Sequence, residues 1–328
     1  MTPLPALAVD LGGTKLLVGL VGPDGSVLAR QRTATPGGGP GGVARAIREI
    51  AVSLRESAGL GGMRLVGVGV AFPSRTDRDR GVVYEPPRLG GWEKETAFGP
   101  LLAREVGETV YVENDAKTAA LGEAWIGAGR GVRDLVYVTV STGIGGGLIL
   151  GGQLYRGAQG TAGEIGHVTV DPEGPLCYCG NRGCLEMLAS GPAIARQGQA
   201  AVARGARTAL QSLADHPEAI TAASIADAAR AGDALATTLF NRAGTYLGLV
   251  LGNLVTVLSP KMIIVGGGVS KAGDLLLEPI RRGVCDRAYP APVPEVSVVP
   301  AALGDDVGII GAAALVYHES SLRTHSPG

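Results

Sequence analysis

The chain has 328 residues, 45% of them hydrophobic and 18% charged, with a net charge of −1. This is the composition of an ordinary globular protein long enough for two domains, and the charge gives no basic footprint for nucleic acid. No apolar run reaches the length of a membrane span, and Met1 to Pro5 lack the basic-then-apolar pattern of a signal peptide, so a cytoplasmic protein without a membrane partner is expected.

In chain order, Ala6 to Thr33 reads as an apolar run ending in Asp10, the turn Leu-Gly-Gly-Thr-Lys15, a second run from Leu16 to Val21, a Pro23-Asp24-Gly25 turn and a third run. That alternation predicts an antiparallel three-strand meander. After the Gly/Pro-rich loop Thr35 to Gly42, residues Val43, Ile47, Ile50 and Leu54 fall at helical spacing over Val43 to Ser57. Leu65 to Val70 reads as a strand, Val110 to Val112 as another ending at Glu113-Asn114-Asp115, and Ala116 to Ala128 as a helix. Leu135 to Tyr155 then repeats the opening pattern: an apolar run, Ser141-Thr-Gly-Ile-Gly-Gly-Gly147, Leu148 to Leu150, a Gly151-Gly152 turn and Gln153 to Tyr155. Two copies of one supersecondary unit imply two halves facing each other across a cleft. Further helices are predicted over Pro192–Ala203, Ser224–Ala231, Asp233–Val257, Ala272–Arg282 and Gly308–Tyr317, strands over Met262–Val265 and Val296–Val299, and a frayed tail from Ser320. Strands alternating with helices place the chain in the α/β class. The expected domains are a smaller one over 1–115 and a larger one over 116–307, with helix 308–318 packing back on the first.

Between Glu164 and Glu186 lie His167 and three of the four cysteines, Cys177, Cys179 and Cys184, in the spacing Cys-Tyr-Cys-Gly-Asn-Arg-Gly-Cys. Three thiols and an imidazole are the ligand set of a closed, tetrahedral structural zinc site. The alternatives are small buried hydrophobes, or a disulfide to Cys184, which would need an oxidising compartment. Pro175, Gly180, Asn181 and Gly183 make the segment a turn-rich loop rather than a core element. The flanking carboxylates imply that the loop also touches a substrate. The fourth cysteine, Cys285, reads as an ordinary thiol among arginines.

Asp10 to Lys15 (with Gly12, Gly13 and Thr14) and Ser141 to Gly147 (with Thr142 and Gly143) are hairpin turns whose amides and hydroxyls suit phosphate oxygens. Neither has the pattern of a P-loop or of a dinucleotide fingerprint. As a pair they imply a nucleotide, with Asp10 as partner of a phosphate-bound magnesium and Gly266-Gly267-Gly268 against the nucleoside. A carboxylate in Glu113-Asn114-Asp115 is placed to accept a hydroxyl's proton while Asn114 orients it. The alternative is that Asp115 only caps the following helix.

On these motifs (Asp10 to Lys15, Glu113 to Asp115, Ser141 to Gly147, and His167 through Glu186) the chain resembles the ROK family of sugar kinases and related repressors, within the actin-like, hexokinase-like ATPases. The likeness covers nearly the whole length. It implies two actin-like (ribonuclease H-like) α/β domains with a nucleotide and sugar cleft between them, ATP-dependent phosphorylation of a sugar hydroxyl, Mg2+ with the nucleotide and a structural Zn2+. It also implies Asp115 as the base, with Asn114, Glu164, His167 and Glu186 hydrogen-bonding the sugar. His167 would ligate zinc through one nitrogen and offer the other to a sugar hydroxyl. A homodimer or homotetramer is implied as well.

The chain departs from the family pattern at Gly67-Val-Gly-Val-Ala-Phe-Pro-Ser-Arg75, at Arg88-Leu-Gly-Gly-Trp92 and at Lys117. Phe72, Ser74, Arg75 and Arg88 therefore point to a reshaped sugar pocket, with solvated surface charge as the alternative for the two arginines. The expected function is a hexose kinase of glucokinase type. The runner-up is a kinase for a C7-cyclitol or other modified sugar, and a non-catalytic sugar sensor comes third. The nine residues ahead of Asp10 are too few for a DNA-binding domain. Sequence leaves ATP against polyphosphate, the acceptor hydroxyl and the roles of Arg75 and Arg88 open.

Overall fold

The computed structural model describes residues 4–86, 89–288 and 295–324. The chain divides into two compact units. The first takes the described residues up to Gly131, Leu154–Ala162 and those from Ala302 onward; the second takes Val132–Gln153 and the described residues of Gly163–Ala301.

In unit 1, β1 (Ala6–Leu11), β2 (Lys15–Val21) and β3 (Val27–Ala34) form the expected antiparallel meander, and β4 (Val68–Phe72) and β8 (Val110–Asn114) add parallel strands in the order β3-β2-β1-β4-β8. β1 and β4 are almost wholly buried because sheet neighbours and helices cover both faces. The helix α1 (Gly39–Ser57) lays Val43, Ile47, Ile50 and Leu54 into the core with Leu7, Val9, Val18, Val70 and Phe72. Three short strands, β5 (Thr76–Asp77), β6 (Val82–Tyr84) and β7 (Glu95–Thr96), form a separate small sheet, and α2 (Phe98–Val106) follows. The nine-residue α2 has too few turns for its periodicity to stand out in sequence.

Two further helices complete unit 1. The helix α3 (Asp115–Trp125), expected in the second domain, packs on α9 (Val307–Thr324). Its Gly122 meets Gly311 of α9 so closely that a Cβ would lie 3.0 Å from the Gly311 Cα. Helix α9 continues through Thr324 rather than fraying from Ser320; residues 325–328 lie outside the described residues.

The second sheet has the same plan: β9 (Leu135–Val140), β10 (Ile144–Leu150) and β11 (Gln153–Tyr155, its last two residues counted with unit 1) as a meander, then β12 (Met262–Gly266) and β13 (Ser297–Pro300) parallel beside β9, in the order β11-β10-β9-β12-β13. The internal repeat read from sequence is thus a repeat of sheet topology. The short α4 (Leu185–Ala189) follows the cysteine loop, then α5 (Gly191–Ala203), α6 (Ala222–Arg230), the long α7 (Ala234–Leu258) and α8 (Asp274–Arg287). Helices α7 and α8 cross where Gly248 faces Gly283, and Gly244 faces Pro279 inside α8. No helix among the described residues is long and apolar enough to cross a membrane.

Candidate active site and metal centre

In unit 1 the first glycine-rich turn closes by a hydrogen bond from the Gly12 amide to the Lys15 carbonyl (2.8 Å), and Thr35 adds a hydroxyl bond to the Gly12 carbonyl (2.6 Å). Thr14 and Lys15 are exposed and Gly12 and Gly13 partly so. Asp10 is the penultimate residue of β1, just ahead of this turn. At Gly308, in the first turn of α9, a Cβ would lie 2.4 Å from the Asp10 carboxylate, so only glycine lets the two approach. Burial pushes the Asp10 carboxyl above its ordinary pKa, partly offset by the charge of Arg32. A half-buried carboxylate of this kind suits a hard cation held directly or through water.

The Glu113-Asn114-Asp115 triplet divides its labour. Glu113 is 2% exposed and turned inward, where Arg156 donates to it at 2.6 Å and Thr76 at 3.2 Å. Arg156 reaches on to Glu319 at 3.0 Å, so this is a buried ion network rather than a reactive acid. Asn114 is the N-cap of α3, accepting from the amides of Ala116 (3.0 Å) and Lys117 (3.2 Å), while its Nδ2 lies 3.4 Å from the Ser74 carbonyl. Asp115 follows as the first helical residue, exposed, with Oδ1 accepting from the Ala116 amide at 2.7 Å. The capping role, the alternative for Asp115, belongs to Asn114, and Asp115 presents an exposed carboxylate on a fixed helix start. Lys117 is buried and donates to the Gly160 carbonyl.

In unit 2 the second turn closes from the Ser141 amide to the Gly143 carbonyl (2.8 Å). Two other segments brace it. Gly191, at the start of α5, donates to the Ser141 carbonyl (2.9 Å), and the Ile144 amide donates to Glu186 Oε2 (2.7 Å). A Cβ on Gly143 would lie 2.5 Å from that same carboxylate oxygen. Beside the turn opens a cavity of about 550 Å³, walled by Ile220, Ala222, Ala223, Ala226, Phe240 and Val269, with Ser141, Thr142, Gly268 and Lys271 at its polar side. Its size and mostly apolar lining match a nucleoside site. Gly267, at φ +88°, turns the backbone there. Sequence reasoning placed the α5 and α6 starts to within two residues but did not name them as part of this cavity. Their signals were Ser190-Gly-Pro, where Ser190 caps α5, and the Thr221/Ser224 capping box of α6.

The cysteine loop assembles as predicted. The ligand atoms of His167, Cys177, Cys179 and Cys184 all lie within 4.8 Å of one another. The His167 Nδ1 is 3.7 Å from Cys177 Sγ, and Cys179 Sγ is 3.6 Å from Cys184 Sγ. A zinc tetrahedron with ordinary bond lengths has edges of about 3.5–3.8 Å, so the donor set fits that ion. The cysteines are free thiols. Burial and the neighbouring sulfurs push the Cys184 thiol up to about 12, an environment that a coordinated cation reverses. Glu164 is exposed beside the single helical turn Ile165–His167, and Glu186 sits in the first turn of α4.

The departures from the family pattern sort differently from expectation. Phe72 is not in a loop: it ends β4, fully buried, with its ring 5.2 Å from Trp92 and 6.0 Å from Phe98. Arg75 stacks on Tyr84 at 4.1 Å. Arg88 lies outside the described residues.

Residues 6–319 match the ROK family. The chain is 38% identical to a glucokinase of Thermotoga maritima over 317 residues, covering 96% of this chain and 98% of that one. Among solved structures it resembles a ROK family glucokinase from Streptomyces griseus in complex with glucose and AMPPNP (TM-score 0.79, 34% identity, 96% and 99% covered). It also resembles a ROK family transcriptional regulator homologous to the E. coli MLC protein (TM-score 0.86, 27% identity, 97% and 78% covered). With the two repeated α/β units and the Cys/His cluster in place, the chain belongs to the ROK family.

Proposed function

We propose that the protein is an ATP-dependent hexose kinase with glucose as its acceptor. The observation that carries this reading lies within unit 2. Glu186, on the helix after the cysteine loop, bonds the Ile144 amide of the glycine-rich turn at 2.7 Å. A sugar-facing carboxylate and a phosphate-binding turn are thereby one rigid piece, beside a nucleoside-sized cavity. Likeness to glucokinases over nearly the whole chain supports the acceptor.

In this reading Asp115 accepts the proton of the attacking sugar hydroxyl, and Asn114 holds the helix start that presents it. Glu164, His167 and Glu186 hydrogen-bond the sugar. The amides and hydroxyls of Gly12, Gly13, Thr14, Thr142 and Gly143 and the Lys15 ammonium bind phosphate oxygens, and Gly267 and Gly268 face the nucleoside. Magnesium, when bound with the nucleotide near Asp10, neutralises phosphate charge, so positioning supplies most of the catalysis. Zinc on His167, Cys177, Cys179 and Cys184 would brace the sugar-binding loop. Thiolate ligation needs reduced cysteines, which favours a cytoplasmic setting. Assembly as a homodimer or homotetramer rests on family likeness.

The modified-sugar alternative drew on Phe72, Ser74, Arg75 and Arg88; a core aromatic and a stacked arginine give it little support at Phe72 and Arg75, and Arg88 lies outside the described residues. A coupled ADP-release assay over hexoses and cyclitols tests the proposal. Turnover highest on glucose supports it. Turnover on a cyclitol alone supports the alternative, and tight sugar binding without turnover supports a sensor like the family's regulators.

A further inference from the structure

Tyr178 lies between two of the zinc-ligating cysteines, and its residue surface is 76% exposed. The turn that carries it is fixed by hydrogen bonds from the Cys177 amide to the Asn181 carbonyl (2.7 Å) and from the Gly180 amide to the Cys177 carbonyl (3.0 Å). Its hydroxyl nevertheless points inward and stands 3.2 Å from His167 Nε2, with the ring edge-on to the imidazole at 5.2 Å. Burial, and after it the negative charges of Glu186 and Glu164, raise the Tyr178 phenol above its ordinary pKa.

These three residues are the ones proposed to hold the sugar. A phenol, like a sugar hydroxyl, accepts one hydrogen bond while donating another. With zinc on Nδ1, His167 carries its proton on Nε2 and donates outward. Tyr178 then accepts from His167, as a sugar hydroxyl at that point would. The geometry points to Tyr178 as an affinity- and specificity-setting residue: its hydroxyl stands in the position of a substrate hydroxyl, and an entering sugar has to displace it. This rests on the sugar-kinase reading. The exposed ring is free to swing to another rotamer on a fast timescale, so displacement slows nothing. It weakens binding by one hydrogen bond, and selects acceptors whose own hydroxyl can take its place on His167.

The test is Tyr178→Phe in the zinc-loaded protein, with glucose Kd by calorimetry, zinc content, and kcat and KM by ADP release. Removing the competing hydroxyl is expected to tighten glucose binding and lower KM by about 2- to 10-fold, with kcat and one zinc per chain unchanged. Unchanged or weaker binding at full zinc content overturns the proposal, because Tyr178 is then a neutral neighbour or a direct sugar contact. Loss of zinc overturns it too, since the hydroxyl then serves the metal. If the wild-type protein neither binds nor phosphorylates any sugar of the panel, the kinase reading itself fails, and this proposal with it.

Discussion

The two units carry the same strand order and the same glycine-rich first turn, yet they brace that turn in different ways. In unit 1 the turn is held by its own backbone and by Thr35, and the nearby carboxylate of Asp10 packs closely against Gly308 of α9. In unit 2 the turn is held from outside, by the start of α5 and by Glu186 at the end of the cysteine loop. In the proposed reading a duplicated scaffold supplies two similar turns for phosphate oxygens, and the chemistry differs through what has been attached to each. A cation-type acid and the exposed carboxylate Asp115 belong to unit 1; a zinc-type loop tied to a phosphate-type turn belongs to unit 2.

The largest expected effect is on the unit 1 side. Replacing Asp115 with alanine should lower turnover by ~10²- to 10⁴-fold while leaving thermal stability nearly unchanged, because Asn114 caps α3. Asn114→Ala should instead destabilise by about 0.5–2 kcal/mol in thermal melts. If Asp115→Ala kept near-normal turnover, unit 1 would not supply the base.

Next in size is the metal loop. Cys184→Ser, or removal of zinc by a chelator, should raise the sugar KM by ~10-fold or more and lower the melting temperature together. Loss of metal at unchanged KM would show that the loop is a clip and not a wall of the pocket.

The link between loop and turn is probed by Gly143→Ala. Its methyl would meet the Glu186 carboxylate at 2.5 Å, and the displacement should reduce kcat/KM by up to ~10²-fold without loss of zinc. Unaffected kinetics would mean that the Glu186 contact is incidental to function.

The smallest effect concerns the buried network of unit 1. Burial alone would raise the Glu319 carboxyl, but the nearby His318 imidazole, 3.9 Å away, and the charges of Arg78 and Arg156 outweigh it and hold the group below its ordinary value. A depressed folded pKa contributes stability that is present above the unfolded value, about 4.3, and lost as pH falls through the lower folded value. Glu319→Gln should therefore flatten the acid limb of a stability–pH curve. An acid limb identical to wild type would remove this network from the account of unit 1.

How much of this could be read from the residues depended on the range of the interaction. The meanders were legible because apolar alternation and glycine turns are local, and the metal loop because its cysteines fall within eight residues, from Cys177 to Cys184. The start of α3 was legible as a helix start but not as a division between capping Asn114 and exposed Asp115, since both residue types cap. Glu113 looked like a candidate acid because its partners, Arg156 and Glu319, are remote in sequence. Phe72 looked like a pocket residue because only packing shows Trp92 and Phe98 around it. Tyr178 was passed over as filler between two cysteines; the direction of its side chain depends on the turn that Gly180 and Asn181 make.

The most direct test of the kinase assignment is ADP release by the zinc-loaded protein with MgATP on addition of glucose, measured side by side with Asp115→Ala. Glucose-dependent ADP formation by the wild type, abolished or reduced at least ~10²-fold in the variant while glucose still binds, is the predicted result. Glucose binding without ADP release in the wild type, over the whole sugar panel, would contradict it and leave a sugar-binding protein without catalysis.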